Sequence, residues 1–159
     1  MSHVEIIKEI EARRPPAWDL LNGRAISYDE ARKRIVMEWQ AEERHCHSVK
    51  GHPKGGIVQG GFVTGWLDAA MASACFFDGN PLISVASLEI KVTFLLPAHP
   101  GLYRSYGSVI RRGRSVAFME AELRDSDDRL IARGSSTAAV RASDRSSQAS
   151  ETSAACAAS

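Results

Sequence analysis

The chain predicts an α+β fold in which an antiparallel sheet wraps one long central helix. Three observations carry this. Gly60–Phe77 is the longest proline-free stretch with helical periodicity. Two strand-like runs precede it, at 25–28 and 34–39. Four more follow, at 84–96, 102–111, 115–124 and 130–140, separated by turn residues. Runs of strands around a single helix are the signature of α+β architecture.

The helix assignment rests on spacing. Phe62, Trp66, Ala69 and Ser73 form one row, and Val63, Leu67, Ala70, Ala74 and Phe77 the next. Gly61, Gly65, Asp68 and Ala72 fall on a third stripe, nearly bare of side chain but holding the segment's only charge. A charge costs free energy to bury unless it is paired or used. The bare stripe predicts close approach by a second backbone. Asp78-Gly79-Asn80-Pro81 stops the helix.

The entry to this helix is glycine-rich, Gly55-Gly56-Ile57-Val58-Gln59-Gly60-Gly61. A helix N-terminus has free N–H groups and partial positive charge. Donors aimed at a developing oxyanion are what acyl chemistry requires. Glycines alone make a tight turn; glycines with a bare stripe and an acid point to a reaction site.

Around the helix, residues 3–14 predict a short amphipathic helix with Ile6, Ile7 and Ile10 on one face, ended by Pro15-Pro16. Trp18, Leu20 and Leu21 are expected to cover part of the core. In the strand at 84–96, Leu88, Ile90, Val92, Phe94 and Leu96 alternate with Ser87, Glu89, Lys91 and Thr93, which predicts two opposite faces. The last four strands are expected to follow one another as a meander. Residues 142–159 hold six Ala and six Ser and predict a disordered tail. The expected organisation is therefore a helical segment at 1–21, a domain at 22–141 and the tail.

At 159 residues the chain is long enough for one well-packed core. A net charge of +1 gives no footprint for nucleic acid or a membrane surface. No apolar run is long enough to span a bilayer and no signal peptide is recognisable, so a soluble cytoplasmic protein is expected. Cys46, Cys75 and Cys156 are scattered and odd in number, as for reduced thiols. His45-Cys46-His47 with His52 puts two imidazoles on one face if the segment is a strand. No carboxylate or second cysteine stands at ligand spacing, so no metal is expected.

Three stretches resemble the hotdog-fold thioesterases, and within them the phenylacetate-pathway (PaaI-like) group, over about residues 22–140. They are Gly-Ile-Val-Gln-Gly-Gly-Phe-Val-Thr-Gly-Trp-Leu-Asp at 56–68, Ser-Leu-Glu-Ile-Lys-Val-Thr-Phe-Leu-Leu-Pro-Ala at 87–98, and Gly113–Phe118 with Leu130–Gly134. The resemblance implies an acyl-CoA thioesterase in which the Gly60 N–H receives the thioester carbonyl. It implies Asp68 as general base or nucleophile, and Ser87 as the hydroxyl that places the attacking water. Gln59 and Gly61 belong to the implied binding loop. Many relatives carry His at position 59 and Asn in the preceding loop. Their absence here leaves a second carbonyl contact to His52 or Lys54. Coenzyme A enters as part of the substrate and no separate cofactor is implied.

Gly60 and Asp68 are eight residues apart, about 12 Å along a helix at 1.5 Å per residue. Reacting atoms must come within about 3–3.5 Å. Both groups can act on one carbonyl only if two copies of the helix run antiparallel, which predicts a homodimer or a tetramer of dimers. Arg111, Arg112 and Arg114 flank the Gly113 turn; they suit coenzyme A phosphates or a solvated hairpin tip equally. Two rival functions are an enoyl-thioester hydratase or dehydratase using His52 with Asp68, and a non-catalytic acyl-CoA binder.

Overall fold

The computed structural model describes residues 1–78 and 83–142. The expected stop at 78–81 and the tail at 142–159 lie largely outside them. Helix α1 (His3–Ala12) begins with a reciprocal cap, in which the Ser2 hydroxyl accepts from the Glu5 N–H and the Glu5 carboxylate accepts from the Ser2 N–H. A short α2 (Ala17–Leu21) follows the two prolines. Strands β1 (Gly23–Asp29) and β2 (Arg34–Ala41) precede two two-residue strands, β3 (Cys46–His47) and β4 (Ile57–Val58). The central helix α3 runs Gly60–Ala74 and tightens into a 3₁₀ turn over Cys75–Phe77. Strands β5 (Ile83–Phe94), β6 (Gly101–Arg112), β7 (Val116–Asp125) and β8 (Leu130–Ala142) follow.

Six strands form one antiparallel sheet in the order β1-β2-β6-β7-β8-β5, and α3 packs across its face. The expected meander is therefore corrected. Only β6, β7 and β8 follow one another in space, while β5 crosses to the far edge and pairs with β8. Four antiparallel steps separate β2 from β5, so these two strands run the same way. The helix between them is a crossover spanning the sheet.

The core fills the space between α3 and the sheet. Trp39, Trp66, Ile35, Met37, Leu67, Met71 and Met119 are fully buried. The Trp39 and Trp66 rings stack at 6.3 Å, and Trp66 and Tyr103 at 5.7 Å. The buried Trp39 N–H is satisfied by the Ser105 hydroxyl at 2.8 Å. Close approach of helix to sheet depends on Gly107 in β6, where a Cβ would overlap the Ala70 carbonyl.

Residues 1–21 share this core. Ile6, Ile10 and Trp18 are buried in it, whereas Leu20 is 68% exposed, contrary to expectation. The end of α2 is fastened by side chains. Trp66 donates its ring N–H to the Leu21 carbonyl at 2.9 Å, and His45 Nε2 donates to the Leu20 carbonyl at 3.0 Å. Gly65 lies under this segment, where a Cβ would come within 2.8 Å of Leu21. The bare stripe on α3 is thus covered at Gly65 by the chain's own N-terminal segment. At Gly65 a second helix could reach the stripe only by displacing the Leu21 side chain.

Candidate active site

Gln59 leaves β4 in an extended conformation and caps α3, its side chain accepting from the Gly61 N–H at 2.6 Å. The Gln59 carbonyl accepts from the Phe62 N–H at 3.0 Å. Gly60 is left: among the described residues its N–H has no hydrogen-bond partner. The predicted donors therefore separate. Gly60 presents an unpartnered N–H at the positive end of the helix, while the Gly61 donor is taken by Gln59. The Phe94 ring stands beside Gly60, 3.1 Å from where a Cβ would sit. No feature of the sequence marked Phe94 as a neighbour of the helix entry.

Asp68 is half-buried two turns further along α3. The Ser87 hydroxyl donates to its Oδ1 at 2.7 Å. This contact depends on a β-bulge. The register of β5 against β8 shifts between Ser87 and Glu89, so Leu88 is an extra residue. Side chains alternate with period two, and one inserted residue reverses the phase. Ile83, Val85 and Ser87 consequently share the helix-facing side before the bulge, and Ile90 and Val92 take it up after. The expected single apolar face is corrected at Leu88, which the bulge leaves 65% exposed; Phe94 keeps the phase of Ile90 and Val92 and, although 55% exposed, sets its ring against Gly60.

Other sequence-identified residues are dispersed. His52 accepts from the Lys54 N–H at 3.1 Å, and its ring lies 5.2 Å from that of His99. His99 in turn donates to the Gly56 carbonyl at 2.7 Å, which fixes the loop before the helix. His45 sits in a 3₁₀ turn, not a strand, so its ring points into the core and accepts from the Glu42 N–H at 2.8 Å. His47 is exposed and contacts Ser48. The two imidazoles do not share a face. Arg112 donates to the Cys75 and Asp78 carbonyls, both at 3.1 Å, and so closes the C-terminal end of the central helix. That end lies about 22 Å from Gly60 within one subunit, by the rise of a fifteen-residue helix. Arg114 is exposed at the hairpin tip.

A largely apolar cavity of about 350 Å³ opens beside Asp68, between the N-terminal segment, α3 and β5. A second, polar hollow on the outer face of the sheet, lined by Arg34, Lys91, Glu122 and Arg133, contains none of the candidate residues. Of the aromatic residues in α3 and its extension, Phe76 lines the cavity. Trp66 is fully buried in the core, and Phe77 stacks on Tyr28 at 4.1 Å.

Residues 55–132 match the family model described as Thioesterase superfamily. A Saccharolobus solfataricus protein provisionally named an esterase is 24% identical over 130 residues, covering 82% of this chain and 86% of that one. The structure of a phenylacetic acid degradation-related protein from Ralstonia eutropha, provisionally titled a thioesterase, superposes with a TM-score of 0.68. It is 27% identical, with 84% of this chain and 98% of that one covered. A thioesterase family protein from Silicibacter pomeroyi has a TM-score of 0.72 at 22% identity, with 89% and 99% covered. With the six-stranded sheet wrapping its helix and the glycine-rich helix entry inside the matched segment, the chain has the hotdog fold, and its residues 55–132 are those of a thioesterase-superfamily segment.

Proposed function

We propose that the protein is an acyl-CoA thioesterase acting as a homodimer, each site combining Gly60 of one subunit with Asp68 of the other. The observation that carries this reading is the Ser87–Asp68 pair: a carboxylate held in place by a hydroxyl, on the wall of an apolar cavity, within a thioesterase-superfamily frame.

The chemistry follows from the two groups. The unpartnered Gly60 N–H polarises the thioester carbonyl. Asp68 takes a proton from water as the water oxygen attacks the carbonyl carbon. Ser87 holds the carboxylate in position. The tetrahedral intermediate collapses with cleavage of the C–S bond, and the proton on Asp68 passes to the departing thiolate. The products are a carboxylic acid and free thiol. No cofactor is required.

Support for the dimer comes from distance and from an edge. Gly60 and Asp68 lie on one unbroken helix, about 12 Å apart along its axis. A single subunit cannot bring both to one carbonyl. Strand β5 is twelve residues long and among the described residues pairs on one side only, and Leu88, Phe94, Leu95 and Leu96 on it and just beyond are exposed. A long, apolar, unpaired edge is a template for another strand. Pairing of two β5 edges, rather than contact through the glycine stripe, is the arrangement we favour.

A screen of acyl-CoA chain lengths and aryl-CoAs, run with wild type and Asp68→Asn, tests the reading. The name of the Ralstonia eutropha protein makes phenylacetyl-CoA one obvious substrate to include. Hydrolysis that is lost in Asp68→Asn is expected. Turnover unaffected by that substitution would rule the mechanism out. Enoyl-thioester hydration followed by ultraviolet absorbance on the same variants separates the hydratase reading, in which His52 acts with Asp68.

A further inference from the structure

The cavity beside Asp68 has one wall that the matched family segment does not include. It is built from Ile6, Ile10, Ala17, Trp18 and Leu21 of the N-terminal segment, facing Asp68, Ala72 and Phe76 of the helix and its extension. We infer that residues 1–21 form the acyl-binding wall of the site and set the length of acyl group accepted. The inference rests on the proposed role of Asp68 for its orientation, since that residue marks where the thioester carbon lies.

Three observations support it. The lining is largely apolar, and the polar groups are confined to a few positions, as in sites that bury an apolar ligand and orient it by one end. Asp68 and Val85 lie together on one side, next to Ser87, so the cavity is continuous with the reacting groups. Glu9 and Arg13 on α1 also line the cavity and are paired with each other at 2.6 Å. They bound it with a neutralised pair and offer no free charge to a polar substrate end.

The wall is also held rigidly. Trp66 and His45 fasten the Leu21 and Leu20 carbonyls, and the Glu11 carboxylate accepts from the Ala25 N–H at 2.6 Å. A cavity whose wall is pinned at both helices has a fixed depth, which is what chain-length selection requires. Its volume of about 350 Å³ lies at the small end of the range of about 300–1,000 Å³ for cavities that bury an organic ligand, which suits a medium-length or ring-bearing acyl group.

The test fills the cavity from its two sides. Ala17 is exposed on α2 and Ala72 half-buried on α3, so Ala17→Phe and Ala72→Leu are compatible with folding, verified by melting temperature. Each variant is assayed against acetyl-, butyryl-, octanoyl- and decanoyl-CoA. We expect kcat/KM to fall at least tenfold for octanoyl- and decanoyl-CoA and to change less than twofold for acetyl- and butyryl-CoA. An equal fall at every length would leave Asp68 as catalyst and overturn the cavity's role. A second arm does not depend on turnover: calorimetric binding of octanoyl-CoA to full-length Asp68→Asn, with and without Ala17→Phe. Binding weakened tenfold by Ala17→Phe is expected. Binding that is unchanged, or not detected in Asp68→Asn, overturns the inference, whether or not wild type hydrolyses any thioester.

Discussion

The Ser87 hydroxyl donates to Asp68 Oδ1 at 2.7 Å, joining the edge strand β5 to the central helix at the candidate base. Hydrogen bonds to a charged group contribute about 1.5–3 kcal/mol, and each 1.4 kcal/mol is about tenfold in rate. Part of that is lost to water that replaces the hydroxyl. Ser87→Ala is therefore expected to lower kcat about tenfold with a smaller change in KM. In an Asp68→Asn background the same substitution should cost little more, because the group it orients has lost its function. Steady-state kinetics of the four proteins in this cycle check the expectation; full additivity would separate Ser87 from Asp68.

Gly107 is the position where the sheet admits the helix. An added Cβ would overlap the Ala70 carbonyl and reach 3.0 Å from the Met71 nitrogen, both backbone atoms that cannot rotate away. Overpacking of this kind costs typically about 1–3 kcal/mol. Gly107→Ala is expected to lower the stability measured by denaturant titration by at least that amount without altering the slope. A melting temperature equal to wild type would show that α3 shifts freely on the sheet.

Much of this fold was legible in the sequence, and its omissions have physical causes. Helix α3 was readable because fifteen residues with helical spacing leave little ambiguity. The strands β6, β7 and β8 were readable because turn residues punctuate them. Pairing of β5 with β8 was not, since local alternation says nothing about which distant strand supplies the partner. The bulge at Leu88 was hidden for a related reason: an inserted residue leaves the run of alternating types intact while reversing which face is buried. Asp68 was legible as the only charge on the bare stripe, whereas its role and the choice of Ser87 came through family resemblance, and the structure brings the two into contact. Covering of Gly65 by Leu21 was beyond reach, because a glycine stripe does not say whether its neighbour is another subunit or the same chain.

The free edge of β5 makes a separate prediction. Leu88 is 65% exposed at the bulge, and the apolar run ends at Leu96. Leu88→Lys adds a charge to an edge that, left apolar, favours pairing with another strand. We expect the substituted protein to sediment as monomer, or with a weakened dimer, and to lose activity in proportion. An unchanged sedimentation coefficient at micromolar concentration would move the subunit contact away from this edge.

Cys75 is fully buried behind the helix, and burial pushes its thiol up to about 11, with the Arg112 guanidinium opposing the shift and Asp78 adding to it. The thiolate is the reactive species. At pH 8 it makes up only about a thousandth of this thiol, three units below its pKa. Cys75 should therefore resist iodoacetamide at pH 8 in the folded protein and react once denaturant is added. Mass spectrometry of the peptide checks this, and rapid native labelling would show that the end of α3 opens.

The strongest test of the mechanism pairs two inactive subunits. Asp68→Asn removes the base while keeping shape, and general-base contributions are about 10²–10⁴-fold, so kcat should fall within that range. Gly60→Val places branched carbons against the Phe94 ring, which stands 3.1 Å from where the Cβ would sit, and so obstructs the carbonyl's approach to the N–H. A heterodimer of the two then distinguishes the possible arrangements. If sites form within one subunit, each site carries one lesion and both are dead. If each site takes Gly60 from one chain and Asp68 from the other, one site carries both lesions and the other carries neither. The heterodimer should then regain about half of wild-type activity, read as kcat per dimer after purification with two different affinity tags. Recovery needs subunit exchange to be slow during the assay, which re-sorting of the tags over the same interval measures directly. A folded heterodimer with no recovered activity would put Gly60 and Asp68 to work in the same subunit. That result would require α3 to bend sharply between them, since an unbroken helix keeps them about 12 Å apart.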